Sequence, residues 1–103
     1  MPVVVTAIFH PAEGKKDQLI EALQGTMGAV HEEDGCLLYA IHDAHDATVT
    51  MIEKWASAED LKAHSQGSAV QALGKAVDPF ISEPTTVTTM TPIAAGDGER
   101  GLL

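Results

Sequence analysis

Three residues of this chain have the types and spacing to do chemistry together: Glu53, Trp55 and His64. Glu53 and Trp55 stand two apart in the run Val49-Thr50-Met51-Ile52-Glu53-Lys54-Trp55-Ala56, which reads as a strand, so both side chains point to one face. Met51 shares that face. His64 follows one short helix later. A carboxylate, an indole N–H and an imidazole gathered at one place can hold a polar ligand atom and move a proton. The chain has one tryptophan, one tyrosine and two phenylalanines, so setting the largest aromatic beside a carboxylate points to a pocket.

Each of these residues also has a plainer reading. Trp55 lines the pocket and bonds a substrate oxygen through its N–H, or it is core with that N–H on a backbone carbonyl. The pocket reading puts it opposite the helix-covered face, with Ile52 packed under the helices. His64 is a general base, suited by an ordinary imidazole pKa near neutrality, or a helix-end residue bonded to the last carbonyls. Glu53 is structural, paired with a neighbour, or an acid–base group; a carboxylate in apolar surroundings needs a partner or a raised pKa. Tyr39 donates its hydroxyl to a ligand or packs, and His10 precedes Pro11 at a strand end, near where a cavity mouth could lie. Phe9, Tyr39, Met51 and Glu53 are the candidate substrate-binding residues. His42, Asp43, His45 and Asp46 have the types of metal ligands, but they crowd one hairpin loop in scattered directions and read as solvated turn residues.

The elements that position these groups follow from pattern. Val3 to Phe9 is β-branched and reads as a strand. Lys15 to Glu32 reads as one helix, with Leu19, Ile20, Leu23, Met27 and Val30 on one face. Gly25 and Gly28 each weaken it by about 1 kcal/mol against alanine, and close approach of a neighbouring backbone is a physical reason for them. Cys36 to His42 and Val49 to Ala56 form a hairpin. Ser57-Ala58-Glu59-Asp60 has the spacing of a capping box and starts a short helix to His64. Ser68 starts another, which Asp78-Pro79 stops. Thr85 to Met90 is a last strand between two prolines. The order β-α-β-β-α-β is the ferredoxin-like split arrangement: an α+β fold with a four-stranded antiparallel sheet and helices on one face.

Both sheet faces are largely apolar, yet there are helices for only one. A second copy of the chain, face to face in a two-fold homodimer, is the expected cover, enclosing a shared barrel-like interior. With 103 residues the chain is one domain, residues 1–93, followed by a glycine-rich loose tail, 94–103. A formal charge of −9 makes nucleic acid and anionic membrane poor partners. The single Cys36 excludes an internal disulfide. No stretch is long and apolar enough for a membrane span, and the first residues lack the pattern of a signal peptide, so a cytoplasmic protein is expected.

The segments Glu33-Asp34-Gly35-Cys36-Leu37-Leu38-Tyr39, Met51-Ile52-Glu53-Lys54-Trp55 and Leu61-Lys62-Ala63-His64 together resemble the antibiotic biosynthesis monooxygenase (ABM) family. They match its acidic-Gly-Cys entry to strand two, its E-x-W strand and its helix ending in A-H. The resemblance covers roughly Val3 to Met90 and implies a dimeric α+β barrel. It also implies oxygenation of anthrone, phenol or quinol substrates by O2 as co-substrate, without metal or flavin. His64 and Trp55 would be the catalytic residues. Many members carry a second histidine after the A-H helix, where this chain has Ser68-Ala69. The asparagine, tryptophan and histidine of the haem-degrading branch align with Ala7, His64 and Gly74, so the resemblance does not extend to haem. Two further readings stay open: a non-oxidative enzyme moving a proton on a small carbonyl or enol compound, and a module that binds a hydrophobic metabolite without turnover.

Overall fold

The computed structural model describes residues 1–103. Its elements, in order, are β1 (Val3–Pro11), α1 (Lys16–Gln24), α2 (Met27–His31), β2 (Cys36–Asp43), β3 (Val49–Trp55), α3 (Ala58–Ser65), α4 (Ser68–Val77), a 3-10 turn (Asp78–Phe80) and β4 (Ile81–Met90). The four strands form one antiparallel sheet in the order β2-β3-β1-β4. This is the expected ferredoxin-like α+β architecture. No helix is long and apolar enough to cross a membrane.

The helices cover one face. Leu19 and Leu23 of α1, Val30 of α2, and Leu73 and Val77 of α4 pack on Val5, Ala7 and Phe9 of β1, Tyr39 of β2, and Val49, Met51 and Trp55 of β3. Pairing of Val3 with Trp55, Val5 with Glu53, Ala7 with Met51 and Phe9 with Val49 puts all these β3 side chains on the helix side. The expected parity is therefore reversed: Trp55 lies under the helices and Ile52 on the opposite face. Burial decides it, because Val49, Met51 and Trp55 are wholly buried there, whereas Thr50, Ile52 and Lys54 alternate with them at intermediate exposure.

The uncovered face carries Val4, Thr6 and Ile8, with Leu38, Ala40, Thr50, Ile52 and Lys54 on one side and Thr86, Thr88 and Met90 on the other. The last ten residues contain no helix or strand. They do form a compact turn, in which the Asp97 carboxylate accepts from the Glu99 and Arg100 amides at 3.0 and 2.9 Å. Leu102 and Leu103 share a cleft with Val4 and Met90 at the edge of that open face.

The single helix expected over Lys15 to Glu32 is two, broken at Gly25-Thr26. Gly25 caps α1, and the Thr26 hydroxyl donates to the Leu23 carbonyl at 2.9 Å, which takes an acceptor from the helix ladder. No neighbouring backbone approaches either glycine: Gly28 has nothing within 4 Å of a Cβ position, and Gly25 meets only carbonyls of its own helix. The last strand begins at Ile81 rather than Thr85 and runs through Pro84. It lies at the sheet edge, and its register against β1 shifts between the pairs Ile8–Thr86 and His10–Glu83, where a residue without an N–H does no harm.

Candidate active site

Helix α3 carries His64 and is held at both ends by the turn that precedes β2. At its start, Ser57 is extended and its hydroxyl accepts from the Asp60 amide at 3.1 Å, the expected N-cap. Gly35 has φ +77°, and its carbonyl accepts from the Ala56 amide at 2.9 Å, which seats the turn against the α3 N-terminus. A Cβ on Gly35 would run into the Asp60 side chain. At the other end of α3, His64 Nδ1 lies 2.7 Å from Glu33 Oε1.

Trp55 is wholly buried behind His64. The two rings stack with centroids 4.5 Å apart at 30°. The indole N–H donates to Glu53 Oε1 at 2.9 Å. The Tyr39 ring meets both edge-on, at 6.4 Å from Trp55 and 5.5 Å from His64. An indole thus braces an imidazole through its face and a carboxylate through its N–H.

Tyr39, Glu53 and His64, but not Trp55, line a cavity of about 360 Å³ between the sheet and the helices. Its wall is mostly apolar: Val5, Ala7 and Phe9 from β1, Val70, Leu73 and Val77 from α4, and Val87 from β4. Val87 is 60 % exposed, so the cavity opens to solvent on the β4 side. No lysine or arginine lines it. The chamber therefore belongs to one chain, under its own helices, and not to a space shared between two sheets.

Of the six candidate site residues, Phe9, Tyr39, Glu53 and His64 line the cavity. Trp55 and Met51 do not, both being 0 % exposed beneath the wall. With its N–H held by Glu53, Trp55 braces the site instead of presenting a donor to the cavity. Glu33 had no role in the sequence reading. Its signal was there in the acidic-Gly-Cys entry to β2, but a partner 31 residues away is invisible to spacing.

Every fully buried side-chain nitrogen and oxygen has a partner. Tyr39 Oη, the second Glu53 oxygen and His64 Nε2 make no hydrogen bond to protein, so each keeps some accessible surface, and all three belong to residues that line the cavity. Burial pushes the Glu53 carboxyl above its ordinary range, and the Trp55 bond and nearby His64 only partly oppose it. Burial, then the charges of Glu53 and Glu33, push the Tyr39 phenol well above its ordinary value. It stays a neutral hydrogen-bond donor at physiological pH. Burial raises the Cys36 thiol as well.

The hairpin residues lie elsewhere. Lys16 donates to the Ala44 carbonyl at 3.0 Å, His42 Nδ1 lies 3.2 Å from the Thr50 carbonyl oxygen, and Asp46 accepts from the Thr48 amide at 3.1 Å. His31 bonds the Tyr39 carbonyl oxygen at 2.9 Å and so steadies β2. No three His, Cys, Asp or Glu side chains converge as a metal site.

The family model described as antibiotic biosynthesis monooxygenase matches residues 2–76, which contain α3, Glu33, Tyr39, Glu53 and His64. The chain belongs to the ABM family. Solved structures share the ABM fold over nearly the whole chain. Rv0793 from Mycobacterium tuberculosis is 23% identical, with a TM-score of 0.83 over 94% of this chain and 100% of its own. SO0527 from Shewanella oneidensis is 27% identical, with a TM-score of 0.77 over 86% and 88%. PA3566 from Pseudomonas aeruginosa is 23% identical, with a TM-score of 0.78 over 90% and 95%. No curated protein matches the chain.

Proposed function

We propose that this ABM-family protein is a monooxygenase that oxidises a neutral phenol, anthrone or quinol with dioxygen, using no metal or flavin. The observation that carries the reading is the cavity itself: an apolar chamber whose polar end offers one imidazole nitrogen, one phenol and one carboxyl oxygen, all free of protein partners. A flat aromatic molecule suits the apolar walls, and its hydroxyl suits the polar end. The absence of lysine and arginine from the wall favours uncharged substrates over carboxylates.

In this reading His64 Nε2 takes the proton of the substrate hydroxyl or enol. The resulting anion passes an electron to dioxygen, and the two radicals then join in a carbon–oxygen bond. For an anthrone, loss of water from the hydroperoxide leaves a carbonyl. One oxygen atom stays in the product, the other leaves as water, and the substrate supplies all four electrons. Tyr39 and the protonated form of Glu53 donate hydrogen bonds to the oxygen that carries the negative charge, between walls that are mostly apolar.

The test is oxygen uptake with a panel of anthrones and quinols, with autoxidation subtracted. His64→Ala is expected to lower the rate by about 10²–10⁴-fold, the usual contribution of a positioned base. Uptake unchanged in that variant would remove His64 from the mechanism. The same juxtaposition of Glu53 and His64 also supports proton transfer on a carbonyl compound without oxygen; turnover that persists under strict anaerobiosis would select that reading.

The face bearing Val4, Ile8, Leu38, Ala40 and Ile52 has no helix over it, and a second copy is the cover we propose. Light scattering should give the mass of two chains; the mass of one would exclude the homodimer.

A further inference from the structure

Glu33 follows α2, and its main chain is pinned on both sides. Its amide donates to the Val30 carbonyl at 3.0 Å and its carbonyl accepts from the Cys36 amide at 3.2 Å. Its side chain reaches α3, where Oε1 lies 2.7 Å from His64 Nδ1. The His64 side chain is 6 % exposed and that of Glu33 22 %, so the bond is largely withdrawn from water. Room for the carboxylate is left by Gly67, where a Cβ would stand 3.2 Å from Glu33 Oε2.

An ionised carboxylate can only accept a hydrogen bond, so the proton of this contact belongs to His64 Nδ1. In a neutral imidazole the other nitrogen is then a bare lone pair. Stacking on Trp55 fixes the plane of the ring, and the bond to Glu33 fixes its rotation within that plane. Nε2 is what remains for the cavity. The titratable groups around the imidazole are Glu33, Glu53 and Tyr39, none of them cationic.

We propose that Glu33 is the positioning residue of this site, holding the His64 proton on Nδ1 so that Nε2 faces the cavity as an acceptor for a substrate hydroxyl. Without it the ring is free to rotate or to carry its proton on Nε2, where it would present a donor to a group that itself must donate. The proposal rests on the reading of His64 as the base. It also accounts for two sequence features at once: the acidic entry to β2 and the histidine at the end of α3 form one functional unit.

Nitrogen-15 NMR of histidine-labelled protein, recorded as pH is raised until the ring is neutral, reads the tautomer directly. The neutral His64 ring of the unaltered protein is expected to carry its proton on Nδ1; a proton on Nε2 overturns the proposal with no variant needed. Binding supplies the second arm, with 2-naphthol and naphthalene as probes that differ by one hydroxyl. Glu33→Ala is expected to move the proton to Nε2 and to weaken 2-naphthol about tenfold, while leaving naphthalene unchanged. Equal loss for both probes would mean that Glu33 merely supports the fold, and the proposal would fall. Glu33→Gln keeps an accepting oxygen in place and serves if alanine unfolds the chain. It should retain the Nδ1 proton, and a switch to Nε2 there counts against the proposal equally. Should the oxygenase reading fail instead, oxygen uptake would be absent while the tautomer and the naphthol preference persisted.

Discussion

Replacing Trp55 with phenylalanine isolates the buried bond on which the polar end of the cavity depends. The variant keeps an aromatic ring against His64 but removes the N–H that donates to Glu53 Oε1 at 2.9 Å. Trp55 and Glu53 are 0 % and 5 % exposed, so water cannot readily replace the lost donor. A hydrogen bond to a charged group contributes about 1.5–3 kcal/mol, and one between neutral groups about 0.5–1.5 kcal/mol. The smaller ring also leaves a void of roughly 40 Å³, which at about 24 cal/mol per Å³ costs about 1 kcal/mol. The variant should therefore lose about 2.5–4 kcal/mol with Glu53 ionised and about 1.5–2.5 kcal/mol with Glu53 protonated.

The pH dependence follows from the direction of the Glu53 shift. Burial raises its pKa above the ordinary carboxyl value, so the folded chain holds this proton at a pH where the unfolded chain has released it. Its contribution to stability is then full below the unfolded pKa and is lost as pH rises through the folded one. The Trp55 bond is one of the two influences that pull the folded value down. Removing it raises that value further and widens the window of loss. Urea unfolding at pH 4 and pH 8, at one protein concentration, with the Glu53 carboxyl followed by carbon-13 NMR to establish its charge at each pH, measures both penalties. Circular dichroism is the signal to follow, because the substitution removes the chain's only tryptophan. Adding Glu53→Gln should make the Trp55→Phe penalty the same at both pH values. A penalty equal at pH 4 and pH 8 in the otherwise unaltered protein, or a coupling energy under about 0.5 kcal/mol between the two positions at pH 8, would refute the reasoning.

Three further outcomes test neighbouring parts of the argument. Gly35→Ala places a side chain at φ +77° and against Asp60, which should cost at least ~2 kcal/mol and lower the melting temperature by more than about 8 °C; an unchanged melting temperature would show that the turn relaxes freely. Ser57→Ala removes the α3 cap and should cost about 1 kcal/mol in thermal or urea unfolding. Tyr39→Phe removes a hydroxyl with no protein partner, so stability should change by less than about 1 kcal/mol while 2-naphthol binding weakens about fivefold; titration with both probes would show whether the phenol meets the ligand.

Much of the architecture was legible in the chain because local rules act within a few residues. Short β-branched and apolar runs marked β1, β2 and β3, the Ser57–Asp60 spacing marked the start of α3, and Asp78-Pro79 marked the end of α4. The break at Gly25-Thr26 was harder to see, because the apolar stripe continues through it and the deciding bond is a single hydroxyl on the Leu23 carbonyl. The extension of β4 through Pro84 depended on that strand lying at an edge, which is a property of the sheet and not of the segment.

The sequence by itself determined that Glu53 and Trp55 share one strand face, that His64 closes the next helix, and that the chain builds an α+β sheet of the ABM kind. A period of two states which residues are together but not which side they take. Only packing under α1, α2 and α4 turned the Trp55 side inward and placed the cavity beneath the chain's own helices. The same packing divided the candidates into those facing the chamber and those bracing it. It also brought Glu33 to His64 across 31 residues, a contact set by where the turn before β2 meets the end of α3 in space and by nothing in the spacing of either.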